Sequence, residues 1–399
     1  MTTPSTSLLS QKAKNFQPSP TLMLAAKAKE MKDRGEDVLS LTVGEPDWQT
    51  YPKASEAGIQ AIRDGKTKYT ASQGVPALRK AIAQQMKNLT GQDYNPANEV
   101  AVTSGAKFVV FSAFIALLDP QEEVIIPAPF WASYSEMVEL AGGVPNIVKT
   151  KFENGLKITP AELEKAINPK TKIFLLTSPS NPTGVEYTAD DLKALADVLR
   201  KYPKVAIVSD DIYNQLSFSQ SGTSPHLLHV APDLRDRVVC VNGASKAYSM
   251  TGWRMGWAAG EKSIIHAMIS YQSQTMGAPN SMAQEAALAG ILHCDADLVE
   301  TRKVLKERCA HAYEAFSSIP GMKIAKPDGA FYLWIDVSVI LKKLGLKTGK
   351  EFSQMLLEKQ KVVLVPGDDF GDDQCIRISF VTDRKTIDGA VARIKAAIA

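Results

Sequence analysis

The chain is poor in cysteine and histidine, and this shortage argues against several kinds of site. Its four cysteines are Cys240, Cys294, Cys309 and Cys375. Because no two of them form a CxxC pair, neither a disulfide framework nor a zinc site is indicated, and no metal is expected. His226 and His229 have no cysteine or acidic companions that would suggest a metal site, so we expect them to be loop residues.

Long apolar runs and blocks of like charge are also missing. The chain contains no uncharged apolar run of the roughly 18 residues that a membrane helix needs, and residues 1–14 are polar. Its 46 basic and 43 acidic residues give a formal charge of +3, which is too balanced to predict a nucleic-acid or membrane partner. We therefore expect a cytoplasmic protein that binds small molecules, with no nucleic acid and no membrane.

Short runs rich in valine and isoleucine alternate with amphipathic stretches along the middle of the chain. The runs are 100–102, 124–126, 172–176, 205–208 and 238–241. Strands that alternate with helices form βαβ units, so the pattern predicts an α/β fold with a mostly parallel sheet buried on both faces. We assign this sheet to a large domain at 48–293.

The pattern changes after about residue 290. A long helix is predicted at 297–318, followed by a strand pair around 331–336 and 375–381. The N-terminal arm has its own helix and is expected to pack with this C-terminal part. We therefore expect a smaller α+β domain built from 1–47 and 294–399.

Lys246 ends the most informative segment of the chain. The apolar run at 238–241 stops at small residues and a single lysine, and Arg254 follows eight positions later. An amine among apolar neighbours loses hydration, which favours its neutral form and makes it a nucleophile toward an aldehyde. Spacing alone leaves a solvated loop lysine as the alternative.

The end of the strand at 100–102 leads into an apolar helix that begins near Gly105, Ala106 and Lys107. The first N–H groups of a helix and its dipole can bind an anion. A plain strand-to-helix turn is the alternative. No GxGxxG motif follows an early strand, which argues against a dinucleotide enzyme. The segment 345–351 does not have the spacing of a phosphate-binding P-loop.

Polar and aromatic residues also follow the other strands. Trp131 comes after the second run, Asn181 after the third, and Asp210 with Tyr213 after the fourth. Ligands of parallel α/β sheets bind beyond the carboxyl ends of the strands, so these side chains are expected to lie close together. Taken singly, a packing tryptophan, a turn asparagine and an N-cap aspartate are the alternatives.

In this order the segments resemble the class I pyridoxal-phosphate aminotransferases, and most of all the bacterial aspartate aminotransferases. The resemblance covers nearly the whole chain and is carried by 44–47, 68–69, 178–184, 209–213, 245–254, 328–332 and Arg377. It implies a seven-stranded sheet, pyridoxal 5'-phosphate as cofactor, and amino acids and 2-oxo acids as substrates. It also implies a homodimer with shared active sites.

The resemblance assigns catalytic roles to Lys246, Asp210 and Tyr213. Lys246 would bind the cofactor aldehyde and, once released as an amine, carry the α-proton. Asp210 would keep the pyridine nitrogen protonated, so that the ring takes up electrons. Tyr213 and Asn181 would hydrogen-bond the phenolic oxygen of the cofactor, and Trp131 would stack on its ring.

Further residues are assigned to the cofactor phosphate by the same resemblance. They are Gly105, Ala106, Lys107, Ser245 and Arg254, with Tyr69 reaching the phosphate of the neighbouring subunit.

The resemblance also assigns the substrate contacts. Arg377 and Gly44 would bind the α-carboxylate, beside Trp131 and Asn181, because a guanidinium is the best bidentate partner of a carboxylate. An exposed edge-strand arginine is the alternative that the sequence leaves open for Arg377.

The chain looks most like a divergent bacterial subgroup in which a lysine, helped by a hydroxyl of the N-terminal arm, binds the distal carboxylate of the substrate. Lys107 and Ser19 are the matching positions. The implied reaction is L-aspartate plus 2-oxoglutarate to oxaloacetate plus L-glutamate. An aminotransferase for aromatic amino acids, prephenate or other acids, or a carbon–sulfur lyase of the same fold, remains the alternative.

Overall fold

The structure is a computed structural model that describes residues 8–10, 14 and 20–399. Ser19, predicted to bind the substrate, lies outside the described residues. The strands are β1 Leu39–Ser40, β2 Val100–Thr103, β3 Glu123–Ala128, β4 Val144–Lys149, β5 Thr171–Thr177, β6 Ala206–Asp210, β7 Val238–Gly243, β8 Gly256–Ala259, β9 Lys323–Ile324, β10 Tyr332–Asp336, β11 Val362–Val363, β12 Val365–Pro366 and β13 Cys375–Ser379.

Helices cover the strands and connect most of them. They are α1 Pro20–Asp33, α2 Pro52–Arg63, α3 Pro76–Thr90, α4 Ala106–Leu117, α5 Ser133–Leu140, α6 Pro160–Ala166, α7 Ala189–Arg200, α8 Leu227–Val230, α9 Ala244–Ala247, α10 Lys262–Thr275, α11 Ser281–His293, α12 Asp295–Ser317, α13 Ser338–Leu344, α14 Gly349–Gln360 and α15 Arg384–Ile398. Within the described part of the chain, no helix is both long enough and apolar enough to span a membrane.

The sequence explains where several helices begin. Thr159 and Thr188 each start a capping box, in which the threonine side chain accepts a backbone N–H three residues on and an acid returns the bond. Pro52 and Pro76 occupy the first position of α2 and α3, where a missing N–H costs no hydrogen bond.

Seven strands form the central sheet in the order β2-β8-β7-β6-β5-β3-β4. Only β8 runs antiparallel to its neighbours, so the expected mostly parallel α/β sheet is confirmed. Successive residues of β3 point to opposite faces: Ile125 packs in one apolar cluster, and Val124 and Ile126 pack in the other. The sheet is therefore buried on both faces, which explains why its strands are continuous apolar runs.

A second, antiparallel sheet has the order β12-β13-β10-β9. The predicted strand pair appears in it as β10 and β13, with Trp334 opposite Arg377. The N-terminal segment joins this part of the fold, because β1 pairs in parallel with β11. The division into domains at 48–293 and at 1–47 with 294–399 remains a prediction.

Candidate active site

One cavity of about 480 Å³ lies at the carboxyl ends of β5, β6 and β7, beside the second sheet. Of the residues predicted from the sequence, those that line it are Gly44, Ala106, Lys107, Trp131, Asn181, Asp210, Tyr213, Ser245, Lys246, Arg254 and Arg377. Gly105 and Tyr69, also predicted from the sequence, do not line it. The volume falls in the range that suits a drug-sized ligand or cofactor.

Lys246 lies in α9, the short helix that directly follows β7. Its side chain opens onto the cavity but is otherwise enclosed, and its Nζ donates to the carbonyl of Gly44. The rings of Tyr213 and Phe331 lie 5.9 and 5.7 Å from Nζ. Burial lowers the pKa of Lys246 to about 8. The amine is therefore far easier to deprotonate than a solvated lysine.

Asp210 is the last residue of β6 and is buried. Its Oδ2 accepts a hydrogen bond from Tyr134 Oη at 2.6 Å, and its Oδ1 accepts one from the backbone N–H of Ile212 at 3.2 Å. Burial raises the pKa of Asp210 to about 6, against these two hydrogen bonds, which lower it. The two hydrogen bonds thus fix the orientation of the carboxylate, which can pair with a cation.

Tyr213 and Asn181 lie next to residues from the second sheet. Tyr213 Oη is 2.9 Å from the hydroxyl of Tyr332 in β10. Burial raises the pKa of Tyr213 well above its ordinary value, so the phenol keeps its proton. Asn181 follows β5, and its Oδ1 accepts a hydrogen bond from Arg377 at 3.1 Å.

Arg377 lies in the middle of β13 and is 2% exposed, so the alternative of an exposed edge arginine does not hold. Its Nη1 donates to Asn181, and its Nη2 donates to the Thr42 carbonyl at 3.0 Å. The guanidinium also lies 4.5 Å from the ring of Tyr332 and 5.1 Å from that of Phe370.

Nε of Arg377 is buried without a hydrogen-bond partner, and no carboxylate of the described chain forms an ion pair with this guanidinium. Because arginine stays charged even when buried, the cavity wall carries an uncompensated positive charge.

The start of α4 forms the opposite end of the cavity. Gly105 has a φ of +88°, and a Cβ on it would lie 2.6 Å from Nη2 of Arg254. A Cβ on Gly256 in β8 would lie 2.4 Å from the backbone of Gly105 and Ala106. Two glycines are therefore required where the strand, the turn and the arginine meet. The arrangement leaves the first N–H groups of α4 facing the cavity beside a cation, with Ser245 on the same wall.

Lys107 contacts Ser133 and Trp131. Its Nζ donates to Ser133 Oγ at 3.1 Å and lies 4.9 Å from the ring centre of Trp131. Burial and the nearby charge of Arg254 lower the pKa of Lys107. The ammonium thus lies over the ring of Trp131, which is expected to stack on the cofactor.

Tyr69 is 99% exposed, which is extreme for a large aromatic residue. Ile62, in the preceding helix α2, is another exposed apolar side chain. That Tyr69 acts in a neighbouring subunit remains a prediction.

Eight cavity residues were not predicted as site residues from the sequence. They are Ala25, Thr42, Val43, Glu45, Tyr134, Ile212, Thr251 and Tyr332. Tyr332 belongs to the segment 328–332 noted above, but no role was assigned to it. The position of Tyr134, three residues after Trp131 in the first turn of α5, was the only signal for it.

One sequence expectation was wrong. His226, expected to be a loop histidine without acidic or cysteine companions, is buried beside Asp211 and Cys240. The two partners come from neighbouring strand segments, a proximity that spacing in the sequence does not reveal. His229 is exposed.

The chain is similar to known proteins in sequence and in structure. A sequence profile of the family "Aminotransferase class I and II" matches residues 36–394. The aspartate aminotransferase of Geobacillus stearothermophilus is 43% identical over 388 residues, covering 97% of this chain and 98% of its own. The aspartate/prephenate aminotransferase of Nitrosomonas europaea is 42% identical, with 97% and 98% covered.

Solved structures show the same likeness. The aspartate aminotransferase of Thermus thermophilus with maleate matches with a TM-score of 0.91 at 36% identity, covering 98% of this chain and 99% of that one. The enzyme from Rhizobium meliloti matches with a TM-score of 0.92 at 36% identity, covering 98% of each chain.

The lowered pKa of Lys246 has a measurable consequence. Acylating reagents attack only the neutral amine, so trace acetylation of Lys246 should reach half its maximal rate near pH 8. Solvated lysines, with pKa values of about 10.4, should still react slowly there. Peptide mass spectrometry across the pH range, on protein stripped of bound small molecules, measures both in one sample. A midpoint for Lys246 equal to that of exposed lysines would contradict the assignment.

Proposed function

The chain belongs to the class I and II aminotransferases, and we propose that it transfers the amino group of L-aspartate to 2-oxoglutarate with pyridoxal 5'-phosphate as cofactor. One observation carries the proposal: an amine, a carboxylate and an uncompensated guanidinium, those of Lys246, Asp210 and Arg377, line the same cavity. The products would be oxaloacetate and L-glutamate. Prephenate is the second candidate amino acceptor, because a 42% identical relative is named for both aspartate and prephenate.

The cavity suits the cofactor at both of its ends. The N-terminus of α4 and Arg254 present donors and positive charge for the phosphate, and Arg254 has no ion-pair partner in the described chain. Asp210, at the other end, presents a buried carboxylate for the pyridine nitrogen. Trp131 offers an aromatic face between them, as expected for stacking on the ring.

When bound, pyridoxal phosphate supplies an aldehyde that links to amines and a ring that takes up the electrons released with the α-proton. Lys246 would hold the cofactor covalently through Nζ and, when displaced by the substrate, would carry a proton on the same atom. Its pKa of about 8 suits this work, since proton transfer is most efficient when the pKa is near the working pH.

Asp210 would keep a proton on the pyridine nitrogen, because a fixed buried carboxylate favours a paired cation. Tyr134 would orient that carboxylate, since its hydroxyl donates to Oδ2. Tyr213, protonated and fixed beside Tyr332, would donate to the phenolic oxygen of the cofactor. The amide of Asn181 would help on the same side.

Arg377 would bind the α-carboxylate of the substrate. Asn181 and Thr42 hold two of its nitrogens, which fixes the plane of the guanidinium before the substrate arrives. Gly44 provides backbone on the same side of the cavity. A neutral ligand would leave the buried charge uncompensated, so both amino acid and oxo acid substrates must carry a carboxylate.

Lys107 would bind the distal carboxylate of aspartate or glutamate through Nζ, while its backbone N–H stays near the phosphate. Ser133 and Trp131 hold the ammonium on the substrate side. An ammonium is a single charged donor rather than a planar fork, so longer and bulkier acids can be accepted. Ser19 remains a predicted helper, and the cytoplasmic location also remains a prediction.

The proposed functional unit is a homodimer in which Tyr69 of each subunit reaches the cofactor phosphate of the other. The exposure of Tyr69 supports this assignment, because a phenol that is 99% exposed contributes nothing to the packing of its own chain.

The role of Lys246 can be tested by replacing it with alanine. Lys246→Ala should lower kcat by more than about 10³-fold, because covalent attachment and proton transfer are lost together. It should also leave the cofactor freely exchangeable. Borohydride reduction followed by peptide mapping locates the attached lysine, and Lys262→Ala, an exposed lysine in α10, is the control. Wild-type turnover by Lys246→Ala, or a label on another lysine, would refute the proposal.

Sharing of Tyr69 between subunits can be tested by mixing impaired variants. A heterodimer of Lys246→Ala with Tyr69→Ala has one intact site, so refolding an equal mixture should restore about one quarter of wild-type activity. Lys246→Ala mixed with Asp210→Ala is the control, because both changes affect sites within their own chains and no intact site can form. If heterodimers form without regained activity, Tyr69 acts within its own chain.

The role of Lys107 predicts a selective loss. Lys107→Ala should reduce kcat/KM for aspartate by about ten- to a thousandfold, a loss of ~1.5–4 kcal/mol for a charge-assisted contact. The kcat/KM values for alanine and phenylalanine should change little, since these amino acids have no distal carboxylate. Steady-state kinetics with the three amino acids tests this directly. Equal losses for all three would show that Lys107 serves the cofactor.

A further inference from the structure

A buried polar cluster lies behind Asp210, on the side of β6 away from the cavity. Asp211 Oδ2 is 3.2 Å from His226 Nε2, and Cys240 Sγ is 3.8 Å from the same nitrogen. Tyr94 Oη lies 3.6 Å from Cys240 Sγ. We call Asp211, His226 and Cys240 the His226 cluster. All three are buried, and the mechanism above uses none of them.

The backbone determines which nitrogen of His226 carries a proton. His226 is the N-cap of α8, and its Nδ1 accepts the N–H of Leu228 at 3.1 Å. Nδ1 must therefore keep its lone pair. The proton of the neutral ring then lies on Nε2, which faces Asp211.

The hydrogen bond from the N–H of Leu228 to Nδ1 argues against a doubly protonated ring and against a metal-bound ring. Burial opposes a positive charge on His226, but the Asp211 carboxylate outweighs it and raises the pKa. A second proton, however, would have to be on Nδ1, where it would oppose the N–H of Leu228. A metal on Nε2 meets the same obstacle, because metal-bound imidazole needs its proton on the other nitrogen.

The Asp211 carboxylate therefore lies among neutral donors. Oδ1 accepts from Ser209 Oγ at 2.8 Å, and Oδ2 accepts from His226. Arg235 lies 4.8 Å from the Tyr94 ring, which contacts this cluster, and is engaged by Glu99. The positive charge of that arginine is thus already balanced.

We propose that Asp211 is a positioning residue of the active site whose charge, held by His226 and Ser209, acts through Asp210 to make the ring nitrogen of the cofactor more basic. The two aspartates are consecutive and diverge, with Asp210 facing the cavity and Asp211 the cluster. Burial is the largest cause of the raised pKa of Asp210, and the hydrogen bonds from Tyr134 and Ile212 oppose it. The charge of Asp211 raises this pKa further. The inference rests on the proposed function.

The test compares two cofactors on the same protein: pyridoxal phosphate and its carbocyclic analogue, in which CH replaces the ring nitrogen. Apoenzyme is titrated with each, and the ratio of the two Kd values is recorded. Asp211→Asn should weaken the binding of pyridoxal phosphate by about three- to thirtyfold more than the binding of the analogue, since only the natural ring nitrogen can be protonated. Asp236→Asn, which removes an exposed carboxylate, should leave the ratio unchanged. Equal weakening of both, or an unchanged ratio in Asp211→Asn, overturns the proposal.

A pair of His226 variants separates the charge effect from the helix cap and still decides the matter if Asp211→Asn fails to fold. In His226→Asn the side-chain oxygen can still cap α8, but the donor to Asp211 is lost, so the Kd ratio should shift as in Asp211→Asn. In His226→Gln the amide can still donate to Asp211 while the cap is lost, so thermal stability should fall and the ratio should stay. The reverse pattern overturns the proposal.

Selective ¹⁵N labelling of histidine tests the tautomer without any cofactor. His226 should give one pyrrole-like and one pyridine-like ring nitrogen, and a doubly protonated ring would overturn the proposal. Failure of the proposed function has a different signature: neither cofactor would bind at micromolar concentration, which would overturn both. Binding of both cofactors with an unchanged ratio in Asp211→Asn would overturn only the role of Asp211.

Discussion

The constraint on which the site depends is the burial of the Arg377 guanidinium without an acidic partner. Taking such an ion out of water costs several kcal/mol, and an apolar replacement would avoid that cost. Asn181, the Thr42 carbonyl and the ring faces of Tyr332 and Phe370 compensate only in part, because all are neutral and Nε has no partner. The fold thus keeps a destabilising charge that only an anionic ligand completes, and the surroundings of Arg377 fix its direction.

Polar contacts of the site, including one of Arg377, join separate parts of the fold. Arg377 belongs to the second sheet and Asn181 to the turn after β5, so their hydrogen bond joins the two sheets at the cavity. Lys246 binds the carbonyl of Gly44 in the N-terminal segment, and Tyr213 touches Tyr332 in β10. These three contacts across the cavity are made by polar residues of the site. Ligand binding and the relative placement of these elements are therefore linked.

Much of this arrangement could be predicted from the sequence, because the carboxyl ends of parallel strands converge. Lys246 and Asp210 follow apolar runs directly, so their place in the cavity follows from the sheet. Tyr134 could not be found this way, since its contact with Asp210 depends on how α5 packs against β3 and β4. The His226 cluster was missed for the same reason: Cys240 and Asp211 are 14 and 15 residues from His226 in the sequence and meet it only through tertiary packing.

Burial acts in opposite directions on the two ionisable groups that matter most. It lowers the pKa of Lys246 to about 8 and raises that of Asp210 to about 6, because each charged form loses hydration. Near neutral pH, moving a proton onto or off either group then costs only about 1.4 kcal/mol per unit between pH and pKa. A solvated lysine and aspartate would each be several units away. The burial that makes Arg377 costly thus also brings the pKa values of Lys246, the proposed base, and of Asp210, the proposed partner of the ring nitrogen, toward neutral pH.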